Sequence, residues 1–488
     1  LAPQAKSRCS TLRGVSESAT HLPEPALPQP TLPQPALHEL QAALGPGHVL
    51  SDPELCAGFE RDITGRFGGR ASAVLRPADT EQVSAALAIC ARHGISVVPQ
   101  GGNTGLAGGG VPRGGEIVIS LGRLRALGPV DLASAQVLAG AGVTLEELQL
   151  HAHEAGLDVG IDLAARSAAT IGGMAATNAG GALAMRYGTM RAQIAGIEAV
   201  LADGTVLRRL SGVLKDNAGY DLPALLIGSE GTLAVITAVV MRLVPIQRHR
   251  VAALFGLAGM EDALTLVQAL REGVSTLVAA DFFDEAGLGL VRAHRGLRNP
   301  FDRDRPTFVI AEFAGDADPI AQLGATVEAL PLDLEVAIAD DPRGRAALWS
   351  YRELQNESVA AAGVPHKLDV SVPISSVPAF VRDVRERIAA ADPAAVVVIY
   401  GHLADGNVHV NVIGPAAEDD EVDEVVLELV ATYAGSISAE HGVGTAKRDH
   451  LHLSRGPGEI AAMRQIKQAL DPTWILNPGC VLTRPPHA

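Results

Sequence analysis

The chain has 488 residues, 47% of them hydrophobic and 19% charged, a composition ordinary for a water-soluble globular protein of two or three domains. A formal net charge of −16 argues against a nucleic-acid partner, because no basic field would offset phosphate repulsion. No stretch approaches the ~18–20 apolar residues of a transmembrane helix, and a cytoplasmic, bacterial protein is expected. Cys9, Cys56, Cys90 and Cys480 are scattered without metal or disulfide spacing and read as free thiols in a reducing compartment.

Residues 22–37, LPEPALPQPTLPQPAL, read as an extended, disordered spacer that forms neither helix nor central strand. With residues 1–21, for which organelle targeting stays open, they form a tail (1–37) set apart from the fold. The spacing then predicts a helix over 80–94 closed by a glycine, strands at 95–98, 116–120 and 136–141, and a helix over 144–155. Strands at 197–202 and 233–244 complete an α+β unit ending near Pro245, the first domain (38–247). A second unit (248–440) runs strand 250–259, helix 260–272, strands 277–283 and 307–313, helix 317–330, strand 333–339. That βαββαβ order predicts a ferredoxin-like sheet. A long helix over 342–361, a further strand–helix pair and a hairpin at 395–413 follow. A helical C-terminal segment (441–488) closes the chain.

PQGGNTGLAGGG (99–110) follows a strand, as a phosphate loop would, yet VPRGGEIVIS (111–120) leads into another strand rather than a helix. The Rossmann fingerprint therefore fails, and so does the Walker loop, for want of Gly-Lys-Ser/Thr. Two further segments share the composition: LAARSAATIGGMAATNAGG (163–181) and KDNAGYDLPALLIGSEGTL (215–233). Three loops rich in backbone N–H and small polar groups suit a long dinucleotide whose diphosphate rests in a backbone nest.

In VVVIYGHLADGNVHVNVI (396–413), Asp405-Gly406 signals a two-residue hairpin turn. That turn would pair His402 with His409 on one face, which Asn411 shares, and SAEHGVG (438–444) offers Glu440 beside His441. Two imidazoles and a carboxylate are a common catalytic metal set. Spacing alone equally allows satisfied polar residues on a half-buried hairpin. DFFD (281–284) ends a strand and could line the pocket, although core packing is the expected role of its aromatics; His151 and His153 read as surface residues.

PQGGNTGLAGG, TNAGG…RYG, LADGTVL, KDNAGYDLPALLIGSEGTL and LDP…NPG occur in one order over roughly residues 50–482. Together they resemble the FAD-linked oxidoreductases of the vanillyl-alcohol oxidase and p-cresol methylhydroxylase (PCMH) superfamily. The closest resemblance is to its D-2-hydroxy acid dehydrogenases acting on D-2-hydroxyglutarate, D-lactate or glycolate. The resemblance implies a two-part PCMH-type FAD-binding domain (core about 69–247), a substrate or cap domain, and non-covalent FAD. It carries FAD contacts onto Pro99, Gly101, Gly102, Asn103, Thr104, Gly105 and Gly109. A second set is Ser167, Thr170, Gly172, Gly173, Thr177, Asn178 and Gly180, and Gly228, Ser229, Gly231 and Asn477 complete the site, with Glu230 structural.

It also implies a divalent ion at His402, His409 and Glu440, zinc before manganese or iron, and His441 as the catalytic base. Arg352, Asn356, Lys367, Asn411 and His441 would bind the substrate. Ala234, Asn356 and Cys480 depart from the family's usual Gly, Thr and Lys. The implied activity is FAD-dependent, metal-assisted oxidation of a small anionic D-2-hydroxy acid, with D-2-hydroxyglutarate favoured on the glycine loop. D-lactate or glycolate oxidation, or a flavin-binding accessory subunit of a glycolate-oxidase-like complex, are the alternatives. An electron-transfer flavoprotein or quinone would accept the electrons, and a homodimer stays open.

Overall fold

The computed structural model describes residues 30–416 and 421–484. Most of the proline-rich stretch lies outside these residues, but its end corrects the expectation. Gln34–Leu44 is a helix with proline in its first turn, where a missing N–H costs nothing, and Ala36, Leu40 and Leu44 are buried. Among the described residues no helix is long and apolar enough to cross a membrane.

The first half builds two sheets. In the first, β1 (Val49–Leu50), β2 (Ala73–Leu75), β3 (Val97–Gln100) and β4 (Ile117–Ser120) lie in the order β1-β2-β4-β3, with β2 and β3 parallel to β4. Parallel pairing needs a crossover, supplied by the helix Thr80–His93 between β2 and β3. Asp79 caps its start by accepting from Gln82 N at 2.8 Å, and Gly94 ends it in the left-handed region. The second sheet is antiparallel: β5 (Gln136–Gly140), β6 (Leu157–Val159), β7 (Ile194–Val200), β8 (Val206–Arg209) and β9 (Val235–Pro245), ordered β5-β9-β7-β8 with β6 on the end of β9.

The second half is one seven-stranded antiparallel sheet of β10 (His249–Leu257), β11 (Leu277–Asp284), β12 (Thr307–Gly315), β13 (Glu335–Ala339), β14 (His366–Ser371), β15 (Val396–His402) and β16 (Asn407–Ile413). Its order, β13-β10-β12-β11-β15-β16-β14, contains the expected ferredoxin-like sheet in its first four strands and extends it by three. The element order departs in one place: a helix, Glu285–Arg295, separates β11 from β12. Gly287 and Gly289 mask it in the sequence. Asp284 caps it by accepting from Gly287 N at 2.7 Å, and Arg292, His294 and Arg295 oppose its dipole in the last turn. The single helix expected over 342–361 is two, Pro342–Glu353 and Gln355–Ala362.

The C-terminal segment returns to the first half. Val97 N donates to Ile475 O and Asn477 N to Val97 O, both at 2.8 Å, so residues 475–477 extend the edge at β3. The turn that aims them is fixed by the buried pair Lys467–Asp471, at 2.5 Å. Lys467 Nζ also donates to Thr232 O and Leu476 O, and Asp471 accepts from Ile475 N and Leu476 N. Removing one partner strands a buried charge. Asp471→Ala should therefore destabilise the protein by about 3–5 kcal/mol, read as a lower urea midpoint, while Lys467→Met with Asp471→Leu should lose less.

Candidate flavin and metal site

The three glycine-rich loops meet. A Cβ at Gly101 would strike Thr170 Oγ1, one at Gly102 would strike Ala168 O, and one at Gly172 would lie 2.5 Å from Ala141 Cβ. At these positions bare backbone is needed for loop to pack on loop, whereas Gly105 faces open space. Gly231, at φ +69°, packs on Pro99, and Gly228 N donates to Ala175 O at 3.0 Å. Thr170 caps the helix Ile171–Thr177 through Gly173 N, and Asn178 ends it at φ 54° with Oδ1 accepting from Arg191 N. Thr177 Oγ1 donates back to Gly173 O, and Ser229 and Gly180 are buried at the same junction.

Among the described residues, no protein acceptor takes the N–H groups of Gly101, Gly102, Asn103, Thr104 or Gly105. Asn103 stands at φ 53° with its amide donating to Arg61 O, Gly105 and Ser167 are exposed, and Thr104 is half-buried. Five successive unspent amides are what a diphosphate nest requires, so these residues fit FAD. Asn477 differs from the expectation. Its Nδ2 donates to Gly109 O and Glu230 O, and its Oδ1 accepts from Arg113, so its side chain ties the loops together.

The second part of the site is one face of the seven-stranded sheet. Here the hairpin register corrects the expectation: His402 pairs with Asn407 and Tyr400 with His409, around a four-residue connection. Leu403 is fully buried and its N–H bonds to Ala280 O on β11, so the core claims Leu403 and Ala404 instead of the strand ladder. The slip is two residues, which preserves the face, because side chains alternate with period two. His402 and His409 are therefore still neighbours, with rings 5.5 Å apart. Strand pairing also places Asp281 opposite His402, Asp369 opposite His409 and Lys367 opposite Asn411 on that face.

The Nε2 atoms of His402, His409 and His441 lie 3.8, 3.7 and 3.8 Å from Glu440 Oε1. Their other nitrogens face carboxylates: His402 Nδ1 bonds Asp281 at 2.7 Å, and His409 and His441 Nδ1 lie 3.4 and 3.7 Å from Asp369. Carboxylates behind imidazoles fix ring orientation in the manner of a metal centre's supports. Donor atoms of Asp369, His409, Glu440 and His441 all lie within 4.8 Å of one another, a set that omits His402 and adds two residues. Asp369, however, already accepts from Glu440 N, His441 N and Asn407 Nδ2, which makes it a support. His441 is set apart from the other two imidazoles by exposure, 29% against 12% for each. The donors suit a divalent ion such as zinc.

Electrostatics divide the face. Burial alone would raise Glu440 and depress His402, but the two face each other. Glu440 is held at about 2, and His402, with Asp281 behind it, is pushed well above its usual value. Burial dominates at His409, which is lowered to about 3. Asp281 and Asp369 are lowered despite burial, by His402 and Arg352 in one case and by His441, Lys447 and His409 in the other. Arg352 lies over the Tyr400 ring at 4.6 Å with Nε 3.0 Å from Asp281. Lys367, lowered by burial, donates to Asn356 Oδ1 at 2.5 Å, and Asn411 is buried against Val398 O. Motif reading set the Asp281 segment aside and missed Asp369, the two carboxylates that the structure puts behind the imidazoles. The available signal was an acid in the middle of each apolar strand, LVAADFFD and HKLDVS.

The two parts touch at Glu440, whose Oε2 accepts from Gly181 N at 3.1 Å. Fused glycine-rich loops with free backbone amides, abutting an imidazole–carboxylate cluster on an antiparallel sheet, are the arrangement of a two-domain flavin oxidoreductase. Residues 71–209 match the family described as "FAD binding domain", and residues 246–481 match "FAD linked oxidases, C-terminal domain". D-2-hydroxyglutarate dehydrogenase of Danio rerio is 37% identical, over 89% of this chain and 83% of that protein. The D-2-hydroxyglutarate dehydrogenase of Stutzerimonas stutzeri is 33% identical, over 91% and 98%. The fold is that of p-cresol methylhydroxylase (TM-score 0.73, 18% identity, 92% of this chain and 96% of that one). It is likewise that of alkyldihydroxyacetonephosphate synthase (TM-score 0.74, 17% identity, 93% and 87%). The chain belongs to the FAD-linked oxidoreductase family that includes these D-2-hydroxyglutarate dehydrogenases. Because Ala168 O leaves no room for a methyl at position 102, Gly102→Ala should purify with little flavin. The ratio of absorbance near 450 nm to that at 280 nm measures this, with far-ultraviolet circular dichroism reporting that the chain is folded.

Proposed function

We propose that this protein oxidises a D-2-hydroxy acid, D-2-hydroxyglutarate foremost, to the 2-oxo acid, with non-covalent FAD and one divalent ion. The observation that carries the reading is the convergence of three imidazole Nε2 atoms on Glu440 Oε1, beside a flavin-binding loop and two cationic side chains. His402, His409 and Glu440 would hold the ion, and the loops at 99–109, 167–180 and 228–231 the FAD. When bound, FAD supplies a two-electron acceptor for the hydride of C2, and the ion a Lewis acid for the substrate oxygens.

His441 Nε2, the more exposed imidazole, takes the hydroxyl proton, with Asp369 behind Nδ1 stabilising the imidazolium that forms. Arg352 and Lys367 anchor carboxylate, and Asp281 holds Arg352 from behind so that its guanidinium is presented in one orientation. Lys367, whose ammonium meets the neutral Asn356 amide, and Arg352, whose acidic neighbour Asp281 is shared with His402, leave positive charge for an anion to neutralise. A diacid meets that demand at both ends, and the relatives are named for such a substrate. The electrons then leave to an electron-transfer flavoprotein or a quinone.

Anaerobic bleaching near 450 nm tests the reading, with D-2-hydroxyglutarate, D-lactate, glycolate and the L-enantiomers added singly. Bleaching by one D-acid, abolished by a chelator and restored by zinc or manganese, is the expected result; no bleaching by any of them in metal-loaded protein refutes it. Asp281→Asn should weaken metal binding about 10- to 100-fold in competition with a chromophoric chelator, because His402 loses its fixed orientation. An unchanged affinity would remove Asp281 from the metal's support.

A further inference from the structure

Glu230 lies in the GSEG turn of the flavin-binding half, yet its side chain does not turn toward the cleft. The residue holds φ 51°, a left-handed conformation that is unfavourable for a non-glycine residue and persists only where the surroundings enforce it. Its backbone is pinned on both sides: the N–H donates to Ala176 O at 2.8 Å, and the carbonyl accepts from Asn477 Nδ2 at 2.7 Å. The carboxylate then reaches the loop that follows Glu440 and His441. Oε1 accepts from Val443 N and Oε2 from Gly444 N, each at 2.8 Å, and Cys480 Sγ donates to Oε2 at 3.7 Å.

The loop is shaped to receive this grip. A Cβ at Gly442 would lie 2.8 Å from the Glu230 carboxyl carbon, so a side chain there would push the carboxylate away. Gly444, at φ +55°, passes against Ala107 O of the glycine-rich loop, which also accepts from Thr445 N and Ala446 N at 2.9 and 3.2 Å. On its other side the loop is fastened to the substrate half, since Asp369 accepts from Glu440 N and His441 N. Residues 440–444 are thus stretched between two carboxylates, the buried Asp369 and the half-buried Glu230, one from each half of the protein.

We propose that Glu230 is a positioning residue: its carboxylate fixes the distance between the Glu440–His441 loop and the flavin, and so the geometry of substrate oxidation. The inference rests on the dehydrogenase reading for its kinetic part only. Substrate affinity is set by Arg352, Lys367 and the ion, and the ion's ligand Glu440 stays fastened to the substrate half through Asp369 when the clamp is lost. Loss of the clamp therefore slows the reaction within the complex and leaves binding nearly intact.

The test compares the wild-type holoenzyme with Glu230→Gln, which places an NH2 group where one of the loop N–H groups now finds oxygen. Flavin and metal per chain, the dissociation constant for D-2-hydroxyglutarate and the single-turnover flavin reduction rate are measured together. The variant should keep flavin, metal and substrate affinity within about twofold and lose between about tenfold and a hundredfold in reduction rate. Gly442→Ala, which displaces the carboxylate from the opposite side, should reproduce the loss. Wild-type reduction rates in both, or a deficit wholly explained by missing flavin, would overturn the proposal. Hydrogen exchange in the segment 440–446 gives a reading independent of any substrate: it should quicken in Glu230→Gln while 171–181 keeps its protection. Unchanged exchange would refute the clamp even if no 2-hydroxy acid reduced the flavin, an outcome that would by itself fault only the dehydrogenase reading.

Discussion

Everything in the site is arranged around the buried carboxylate of Asp369. An ionised acid removed from water persists only if its oxygens are fully engaged, and this one accepts from Asn407 Nδ2 and two backbone N–H groups while facing two imidazoles. Meeting that demand draws the 440–444 loop down onto the sheet and turns His409 and His441 so that their far nitrogens point at Glu440. Lys447, itself buried and donating to Asp369 O, supplies positive charge from below. The polar face is therefore one connected network, in which each ligand is oriented by a group that cannot be left unpaired.

The flavin half solves a different problem with different chemistry. It must expose backbone amides, so its loops bring small residues together at backbone distance where they pack on one another. The N–H groups of Gly101 to Gly105 remain unspent because Gly102 lies hard against Ala168 and Gly101 against Thr170, which holds the loop open. The halves meet where Gly181, Glu230 and Ala107 bond the loop that carries Glu440 and His441, and again where Met185 of the first half packs on the core of the seven-stranded sheet. Glu440 and His441 are thereby registered against the glycine-rich loops by hydrogen bonds.

Much of this was legible in the chain. Periodicity placed most strands and the helices at 80–93, 145–154 and 260–273, because their apolar faces are regular and the first two open on the side-chain caps Asp79 and Thr144. The order of glycine-rich motifs pointed to the flavin half, and the histidines of the hairpin to the cluster. The helix Glu285–Arg295 escaped notice because two glycines hide a helix whose cap is a strand-ending aspartate. The hairpin register escaped because Asp405-Gly406 looks like a two-residue turn until Leu403 is seen to be claimed by the core.

The sequence by itself determined that the hairpin histidines share one face, since a period of two survives a two-residue slip. It also determined that the cofactor loops need no side chains at their closest approaches. The tertiary structure alone decided which carboxylates serve as supports. Asp281, Asp369 and Glu230 are local strand or turn residues until distant segments arrive to take up their oxygens, and the spacing within one segment holds no information about an acceptor supplied by another.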